Sequence, residues 1–221
     1  MPTYAVRAPL VEWLETEARR AHDDLGLYRL LDVGCGDKPY LPLFEPHTRE
    51  YVGVDPVENP RAELRGAVEA LPVGDGEYQV VLCAQVLEHC DDPVQAVREL
   101  HRATAAGGRV LASTHGTMVY HPAPGDYWRW THAGLERLFA ENADWASVRV
   151  TPASGTTACV AMLLAIYLDL AFRRAHLGPV RRPVIAALNR AAAALDRRSR
   201  LLREPRPGSL IANYHVVAEK A

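Results

Sequence analysis

The sequence predicts an α/β protein built on a mostly parallel sheet. Four short segments, 28–34, 51–55, 78–84 and 107–114, are largely apolar, as strands covered on both faces are. Apolar residues at helical spacing lie between the later segments, and strands that alternate with helices favour a parallel sheet. Glycines and carboxylates follow the first two segments, at the edge where open α/β folds bind ligands.

Three helices are predicted before the C-terminal third. Residues 8–25 place apolar side chains on one stripe, which predicts an amphipathic helix. A second helix covers 91–104, with Pro93 in its first turn, where proline is tolerated. A third covers 131–139, and Thr131 is its expected N-cap.

The C-terminal part predicts two strands separated by an insertion. Residues 145–152 alternate as a strand does, and 210–220 alternate as an exposed or edge strand does. The almost sixty residues between them are longer than a strand connection needs. Their pattern predicts two helices, 156–176 and 180–203, with a break at Gly178-Pro179.

Size and composition fit one soluble globular domain of 221 residues, 48% hydrophobic and 24% charged. The formal net charge is −2, but 173–206 hold ten arginines, Arg200 and Arg203 among them, against Asp196 and Glu204. The four cysteines lack metal-binding spacing, so we expect reduced thiols and no metal. The start of the chain shows no secretory leader, which favours a cytoplasmic protein.

A ligand is expected where Gly34 and Gly36 leave the main chain bare after the first strand. A dinucleotide-binding loop needs a third glycine, but Pro39 stands there and Asp32 would repel a pyrophosphate. Asp55 ends the next strand, where a carboxylate can accept hydrogen bonds from a ribose diol. A positively charged nucleoside such as S-adenosylmethionine fits both acids. The alternative is that both acids only cap turns.

The chain resembles the class I S-adenosylmethionine-dependent methyltransferases of the small type 11 kind, through segments 30–40, 51–56, 69–89, 91–114 and 121–139. This resemblance implies a Rossmann-like, mostly parallel seven-stranded sheet with helices on both faces. It also implies an antiparallel last strand with the helical insertion before it. We expect a single domain comprising an N-terminal helix in 1–27, a cofactor-binding core in 28–152, the insertion in 153–206 and the final strand in 207–221.

The resemblance also implies the residues that bind S-adenosylmethionine. They are Asp32, Gly34, Cys35 and Gly36 near the methionine part, Asp55 and Pro56 at the ribose, Ala67, Val68 and Glu69 at the adenine, and Cys83, Ala84 and Gln85 beside the methionine end. Relatives often carry an acid at the position of Ala67. We therefore expect the main chain of Val68 and packing alone to recognise adenine.

Candidate catalytic groups lie in the loop 115–131 and in the turn before the helix predicted over 91–104. A histidine can be the base, since its pKa is close to working pH; the candidates are His121, His115 and His89, with Asp126 and Tyr127 beside them. Trp128 and Arg129 are candidates for binding the acceptor, and Pro122, Pro124 and Gly125 stiffen the loop. In the structural alternative, the tryptophans are core anchors, Asp126 and Arg129 form a local ion pair, and His89 is a hydrogen-bonded turn residue.

The insertion admits several interpretations. Its apolar run, 158–168, has eleven residues whereas a membrane span takes about twenty. The remaining readings are a helix buried on the sheet, a homodimer face, or a peripheral membrane contact through 156–203. The arginines that follow suit anionic lipid or a lipid-linked phosphate, or simply form a solvated face. Nucleic acid is not expected, because the basic stretch lacks interleaved aromatic residues.

The sequence thus predicts O-methylation of a small-molecule, sugar or lipid-linked acceptor, with N-methylation left open. A non-catalytic binding protein that keeps the fold is the alternative from another class, and it requires an acceptor side filled by side chains. A dehydrogenase is disfavoured by Pro39 at the third glycine position.

Overall fold

The computed structural model describes residues 2–122, 125–199, 202 and 204–221, so Pro124, Arg200 and Arg203 lie outside the described residues. Its strands are β1 (Tyr28–Val33), β2 (Thr48–Asp55), β3 (Leu64–Arg65), β4 (Tyr78–Ala84), β5 (Thr104–His115), β6 (Trp145–Pro152) and β7 (Asn213–Lys220). Its helices are α1 (Tyr4–Leu25), α2 (Leu41–Phe44), α3 (Pro93–Ala103), α4 (His132–Ala140), α5 (Thr156–Arg174) and α6 (Gly178–Arg198), with a 3-10 turn at Glu45–His47.

The strands form one sheet in the order β3-β2-β1-β4-β5-β7-β6. Strands β1 to β5 pair in parallel, and β7 pairs antiparallel with both β5 and β6. The predicted fold class, Rossmann-like with a mostly parallel seven-stranded sheet and an antiparallel last strand, is confirmed. The sequence patterns had marked six strands, and the one they missed is β3, which is only two residues long.

Each face of the sheet has its own hydrophobic core. Leu30 and Leu82 pack with Leu14 of α1 on one face. Leu31 packs with Leu100 of α3 on the other. Because successive side chains of a strand point to opposite faces, a strand covered on both sides must be apolar throughout. This explains why β1 and β4 have no alternating pattern.

The position of β7 corrects one prediction. The alternation in 210–220 indicated an exposed or edge strand, but β7 lies between β5 and β6, and six of its eight residues are buried. Its polar side chains find partners inside the protein: Asn213 Nδ2 donates to Gln85 Oε1 at 3.2 Å, and the ring of His215 stacks on Trp13. Polar residues in an alternating strand therefore do not require solvent here. The edge strand on this side of the sheet is β6.

Helix α1 begins at Tyr4, earlier than the predicted residue 8, and it runs through Pro9. A proline inside a helix costs a backbone hydrogen bond. Packing of the first turn offsets that cost, because Ala5 and Val6 are buried in a cluster with Met162 of α5. Both predicted helix starts are present: Pro93 lies in the first turn of α3, and the predicted cap Thr131 accepts a hydrogen bond at Oγ1 from Gly134 N at 3.0 Å.

The predicted insertion is a helical hairpin of α5 and α6. Asp196 near the end of α6 accepts hydrogen bonds from Thr157 N at 3.1 Å and Ala158 N at 2.9 Å, so it caps the start of α5. The break lies at residues 175–177, before the predicted Gly178-Pro179. Gly178 and Pro179 instead open α6, because a proline in the first helical turn loses no hydrogen bond. The boundaries proposed for the domain's parts stay a prediction.

Candidate active site

The glycine loop after β1 has one packed side and one open side. Gly34 and Gly36 have left-handed φ angles of +68° and +49°. A Cβ atom on Gly34 would lie 2.5 Å from Cγ2 of Val86, so only glycine fits there without a shift. A Cβ atom on Gly36 would meet no atom within 4 Å. The main chain at Gly36 therefore borders open space.

The carboxylate of Asp55, at the end of β2, connects this glycine loop to the loop that follows β2. Its Oδ2 accepts hydrogen bonds from Gly36 N at 3.1 Å and from Asn59 Nδ2 at 3.3 Å. Its Oδ1 accepts one from Val57 N at 3.2 Å. A carboxylate has about four acceptor sites, so one site of Asp55 remains beyond these three bonds. A ligand hydroxyl that displaced the 3.3 Å bond from Asn59 would gain a second site. The arrangement suits a vicinal diol beside Gly36.

Asp32 lies beneath the glycine loop, and only 2% of its surface is exposed. Tyr51 Oη donates a hydrogen bond to its Oδ2 at 2.6 Å. Burial raises the pKa of Asp32 to about 7, although the Tyr51 bond and the charge of Lys38 act in the opposite direction. A cation bound at the glycine loop would favour the ionised form of Asp32. Its direct contact with the methionine part of a cofactor stays a prediction.

Two thiols predicted to border the cofactor are buried. Cys35 is 2% exposed and Cys83 is fully buried in the core. Burial raises the pKa of Cys35 to about 11 and the pKa of Cys83 well above its usual value. Both side chains therefore pack as neutral apolar groups beneath the loops, and any contact with a ligand falls to the neighbouring main chain.

The predicted adenine-binding segment lies next to the end of β2. Gly66 N donates a hydrogen bond to the Asp55 carbonyl at 3.0 Å. Ala67, directly after it, is exposed, as is Pro56 on the other side of Asp55. Pro56 and Ala67 therefore form an accessible border at the end of β2, where Asp55 lies.

Val68 and Glu69 hold this border in place. The side chain of Val68 is buried in the main core. Glu69 Oε1 accepts hydrogen bonds from Asp91 N at 2.8 Å and Asp92 N at 3.3 Å. The Glu69 carboxylate thus anchors the loop before α3, and only the main chain of Val68 is left to recognise a base.

Gln85 follows β4 in a strained conformation, with a left-handed φ of +61°. Its neighbour Ala84 ends β4 and is half-buried. Two hydrogen bonds of 2.8 Å, from Gln85 N to Ser113 O and from Gln85 Nε2 to Ser113 Oγ, hold Gln85 against β5. Strain that the surroundings maintain is typical of functional positions.

A cavity of about 460 Å³ opens beside Gln85 at the carboxyl edge of the sheet. Its walls come from the start of α1, the segment before α2, the turn after β4, the end of β5 and the loop that follows β5: Thr3, Val6, Arg7, Leu10, Val11, Pro39, Tyr40, Gln85, His115, Met118 and His121. Small-molecule sites have volumes of about 300–1,000 Å³. This cavity is therefore large enough for an acceptor, and the described side chains do not fill it.

Glu88 and His115 form a buried pair in the wall of this cavity. Glu88 Oε1 lies 2.5 Å from His115 Nδ1, and Glu88 Oε2 accepts a hydrogen bond from Thr114 Oγ1 at 2.8 Å. Burial alone would raise the pKa of Glu88, but the contact with His115 outweighs it and holds that pKa below its usual value. A carboxylate against Nδ1 orients the ring and leaves Nε2 as the nitrogen for proton transfer.

The other two candidate histidines lie next to this pair. The ring centroid of His121 is 5.0 Å from that of His115 and 5.1 Å from that of His89. His121 lines the cavity and its Nδ1 lies 3.4 Å from Asp126 Oδ2. His89 Nδ1 contacts the carbonyl oxygen of Gly125. That contact supports the alternative reading of His89 as a hydrogen-bonded turn residue.

The ligand atoms of Glu88, His115 and His121 lie within 4.8 Å of one another, so a metal ion has to be considered. Zinc bonds of about 2.0–2.1 Å place tetrahedral ligand atoms roughly 3.3 Å apart. The 2.5 Å between Glu88 Oε1 and His115 Nδ1 is shorter than that spacing, and neither atom has a hydrogen-bond partner of good geometry among the described residues. A metal-free site stays our prediction.

Arg129 and Asp126 form the ion pair that the structural alternative predicted. Arg129 Nη1 lies 2.5 Å from Asp126 Oδ1, and Nη2 lies 2.6 Å from Oδ2. Its remaining donors bond the carbonyls of Met118, Val119 and Trp128. An arginine has five donors, and all five are engaged within the loop. This geometry favours a loop-holding role over the predicted contact with an acceptor.

The aromatic residues of the loop are also anchored. Trp128 Nε1 donates to the Cys90 carbonyl at 2.8 Å, and its ring stacks on Trp130. Tyr127 N donates to the Glu88 carbonyl at 2.9 Å, while the Tyr127 side chain is 61% exposed. The main chain of the loop thus closes over Glu88. The catalytic role of Tyr127 and the acceptor contact of Trp128 stay predictions.

Comparison with known families identifies this arrangement. A family model described as "Methyltransferase domain" matches residues 6–144. The chain belongs to this methyltransferase family. Class I members use S-adenosylmethionine, so the predicted family, enzyme class and cofactor are confirmed at the level of the family.

Curated relatives agree with this assignment. "Ubiquinone biosynthesis O-methyltransferase" of Pseudomonas aeruginosa (strain LESB58) is 28% identical over 131 residues, which cover 51% of this chain and 53% of the relative. A "Probable S-adenosylmethionine-dependent methyltransferase" of Mycolicibacterium smegmatis is 32% identical over 103 residues, or 42% of this chain and 40% of the relative. The chain spans about half the length of the curated relatives it matches.

Solved structures confirm the methyltransferase fold. A putative sarcosine dimethylglycine methyltransferase from Galdieria sulphuraria matches with a TM-score of 0.60 and 11% identity, over 96% of this chain and 85% of that chain. An S-adenosylmethionine-dependent methyltransferase from Mesorhizobium loti matches with a TM-score of 0.55 and 15% identity, over 95% and 98% of the chains. At such identities the likeness concerns the fold alone.

The methyltransferase site contains residues that the sequence analysis did not single out: Thr3, Arg7, Tyr40, Glu88 and Met118. A signal existed for Glu88, which directly precedes the candidate His89 in the turn after β4. No local signal marked the first turn of α1, because helical periodicity shows which face is buried but not what it borders.

The residues present fit the cofactor of the methyltransferase family. Space is open at Gly36, where an added Cβ would meet nothing within 4 Å. The Asp55 carboxylate adjoins that space, and Asp32 is a buried acid that a bound cation would hold in its ionised form. The cavity of about 460 Å³ then lies on the β4 and β5 side, next to Gln85.

Proposed function

We propose that this methyltransferase transfers a methyl group from S-adenosylmethionine to a hydroxyl oxygen of an acceptor held in the cavity. The acceptor is a small molecule, a sugar or a lipid-linked precursor. When bound, the cofactor supplies a sulfonium-activated methyl group and leaves as a neutral thioether. The chain must then align the acceptor, exclude water and remove one proton.

The buried Glu88–His115 pair carries this proposal. A hydroxyl is a weak nucleophile until it loses its proton, and an imidazole can act as the general base that removes it. His115 takes the proton at Nε2, because Nδ1 faces Glu88 Oε1 at 2.5 Å. The Glu88 carboxylate then stabilises the imidazolium. His121 extends this polar wall toward the loop and orients the acceptor.

The cofactor-binding roles follow from the same strand ends. Asp55 binds the ribose diol, one hydroxyl at its open acceptor site and the other in place of Asn59. The main chain from Gly34 to Gly36 lies against the methionine part, and Gln85 borders its end. The border formed by Pro56, Ala67 and Val68 receives the adenine through packing and main-chain contacts.

The Glu88–His115 pair also favours an oxygen acceptor over a nitrogen acceptor. A neutral amine already has a free lone pair, so it needs binding and alignment more than a base. The unfilled cavity argues against the non-catalytic binding protein, which requires an occupied acceptor side.

Two measurements test the proposed function. Calorimetry with S-adenosylmethionine and with NAD should give micromolar affinity for the former only; binding of neither would leave the binding-protein reading. Incubation with methyl-labelled cofactor and an extract of the source cells should then label a product. A label in an ether supports the proposal, whereas a label on an amine assigns the N-methyltransferase alternative.

A further inference from the structure

The end of the α5–α6 hairpin projects away from the rest of the molecule. We define the hairpin tip as residues 166–184, and none of its residues is buried. The buried residues of α5 lie between Ala158 and Ala165, and those of α6 between Ile185 and Asp196. The two helices therefore pack on the protein only near their base. The tip is held by its own contacts, among them an ion pair of 3.1 Å between Arg181 and Asp169.

The hairpin tip exposes large apolar side chains. Tyr167 is 64% exposed, and the following residues are 42–47% exposed: Leu170, Leu177, Val180 and Val184. On α5 the exposed stripe continues toward the base through Leu164 and Val160, at the spacing of one helical face. Helix α5 is long and apolar enough to cross a membrane by length and composition, with a mean hydropathy of 1.5, and 28% of that window is buried. A continuous exposed apolar face of this kind marks an interaction surface.

The positive charge of the hairpin tip favours an anionic partner. The tip contains four arginines and one acid, Asp169, which pairs with Arg173 at 2.6 Å and with Arg181 at 3.1 Å. Arg174 and Arg182 are exposed at the turn end of the two helices. In a two-fold contact with a second copy, the same patch would face itself and bring these arginines together. An anionic lipid surface satisfies both the apolar side chains and the excess positive charge.

The base of the hairpin is continuous with the cavity wall. Val6 and Met118 line the cavity, and both pack in one apolar cluster with Met162, Leu163 and Ile166 of α5. Helix α5 therefore runs from the back of the acceptor site to the tip. At a rise of about 1.5 Å per residue, Arg174 lies roughly 12 Å along the helix from Ile166.

We propose that the hairpin tip docks the enzyme on an anionic phospholipid bilayer, with its apolar side chains in the headgroup and acyl boundary. The source of the acceptor follows only if the proposed function holds. A docked enzyme then takes its hydroxyl acceptor from the membrane, with the acceptor's polar end in the cavity and its apolar part along α5. Among the three acceptor classes, the lipid-linked one is then selected. Asp169 with its two arginines stays at the headgroup level, where water solvates the ion pairs.

Vesicle flotation with the full chain tests the docking. Binding is expected to vesicles of phosphatidylcholine with about one third phosphatidylglycerol, and to weaken with salt because Lys and Arg near such surfaces act electrostatically. The double variant Arg174→Gln, Arg182→Gln should lose roughly 25-fold in affinity, at about fivefold per arginine. The double variant Tyr167→Ser, Leu170→Ser should lose binding even at low salt. All four side chains are exposed, so folding is preserved.

Matched controls change equally exposed residues elsewhere. Leu27→Ser removes a side chain that is 55% exposed between α1 and β1, and Arg137→Gln removes a surface arginine of α4. Both variants should float like the wild type. Equal loss in the controls, equal binding to uncharged vesicles, or no binding to any vesicle would overturn the proposal. A dimer in sedimentation that Leu170→Ser dissociates would assign the face to a second copy instead.

Calorimetry with S-adenosylmethionine in the absence of vesicles separates the two proposals. If the docking inference fails and the proposed function holds, cofactor binding is normal and flotation is absent. If flotation is normal and cofactor binding is absent, the docking of the hairpin tip is supported and the proposed function is refuted.

Discussion

Glu88 and His115 meet beyond the carboxyl ends of β4 and β5, with Oε1 of the glutamate 2.5 Å from Nδ1 of the histidine. Their side chains are 0% and 6% exposed, so water does not compete for this contact. Because His115 lines the cavity, the pair is the proton acceptor in the methyl transfer to a hydroxyl that we propose. The catalytic predictions below depend on this contact.

Replacing Glu88 with Gln should slow turnover about 10²-fold, within the range of general base catalysis. The amide keeps the shape but cannot stabilise the imidazolium of His115. Cofactor affinity should not change, since Glu88 lies on the acceptor side. The measurement is kcat and KM on the acceptor found by labelling, with His132→Gln on α4 as the control. A raised KM with unchanged kcat would indicate a binding role instead.

His115 and His121 should differ when each is replaced by Gln. We expect His115→Gln to lower kcat by about 10²- to 10⁴-fold. His121→Gln should slow turnover less, because its Nδ1 faces Asp126 at 3.4 Å rather than Glu88. Cofactor affinity should be intact in both variants. The reverse order of effects would transfer the base to His121.

Asp55→Ala should weaken S-adenosylmethionine binding by about 1.5–3 kcal/mol, the scale of hydrogen bonds to a charged group. The carboxylate also positions Gly36 N at 3.1 Å, so its loss loosens the glycine loop. Glu58→Gln is a matched control, since it removes an exposed carboxylate from the same loop. Calorimetry on the folded variants decides, and equal affinity in Asp55→Ala and wild type would refute the ribose assignment.

Gly34→Ala should destabilise the fold by about 2–4 kcal/mol, from the left-handed φ and overpacking together. The added Cβ would lie 2.5 Å from Val86, whereas a Cβ on Gly107, at φ +72°, would meet nothing within 4 Å. Gly107→Ala should thus cost only about 1–2 kcal/mol. Urea unfolding gives both values. In a double-mutant cycle, Val86→Ala should recover about 1 kcal/mol in the Gly34→Ala background.

Asp32→Asn should stabilise the cofactor-free protein at pH 8 by about 2–4 kcal/mol. Burial raises the pKa of Asp32 to about 7, whereas the unfolded chain ionises it at about 3.9. The folded state binds more protons between these values, so this group lowers stability as pH rises from about 4 to about 7. The variant's advantage should vanish near pH 4 in urea unfolding curves.

Tyr51→Phe is the companion variant for that measurement. It removes the 2.6 Å hydrogen bond to the Asp32 carboxylate, so it should lower stability more at pH 8 than at pH 4. A pH-independent loss in Tyr51→Phe, or no gain in Asp32→Asn, would show that Asp32 titrates near its ordinary pKa.

Local patterns in the sequence were sufficient for the parallel strands, the bare glycine loop and the acid at the end of β2. Apolar runs, glycines and caps such as Thr131 act on neighbouring residues, so their meaning does not depend on distant parts of the chain. The same patterns misplaced β7 at an edge, because alternation does not show that Asn213 and His215 find partners within the protein. They also began α1 too late, because packing against Met162 outweighs the cost of Pro9.

The sequence by itself determined the family, the glycine loop and the carboxylates that surround it, since these lie close together along the chain. Only the tertiary structure decided that Glu88 touches His115, that α1 closes the cavity, and that Arg129 uses all five donors within its own loop. Each of these depends on side chains that approach from separate elements. Such contacts are set by how strands and helices pack, and no local pattern in the sequence encodes them.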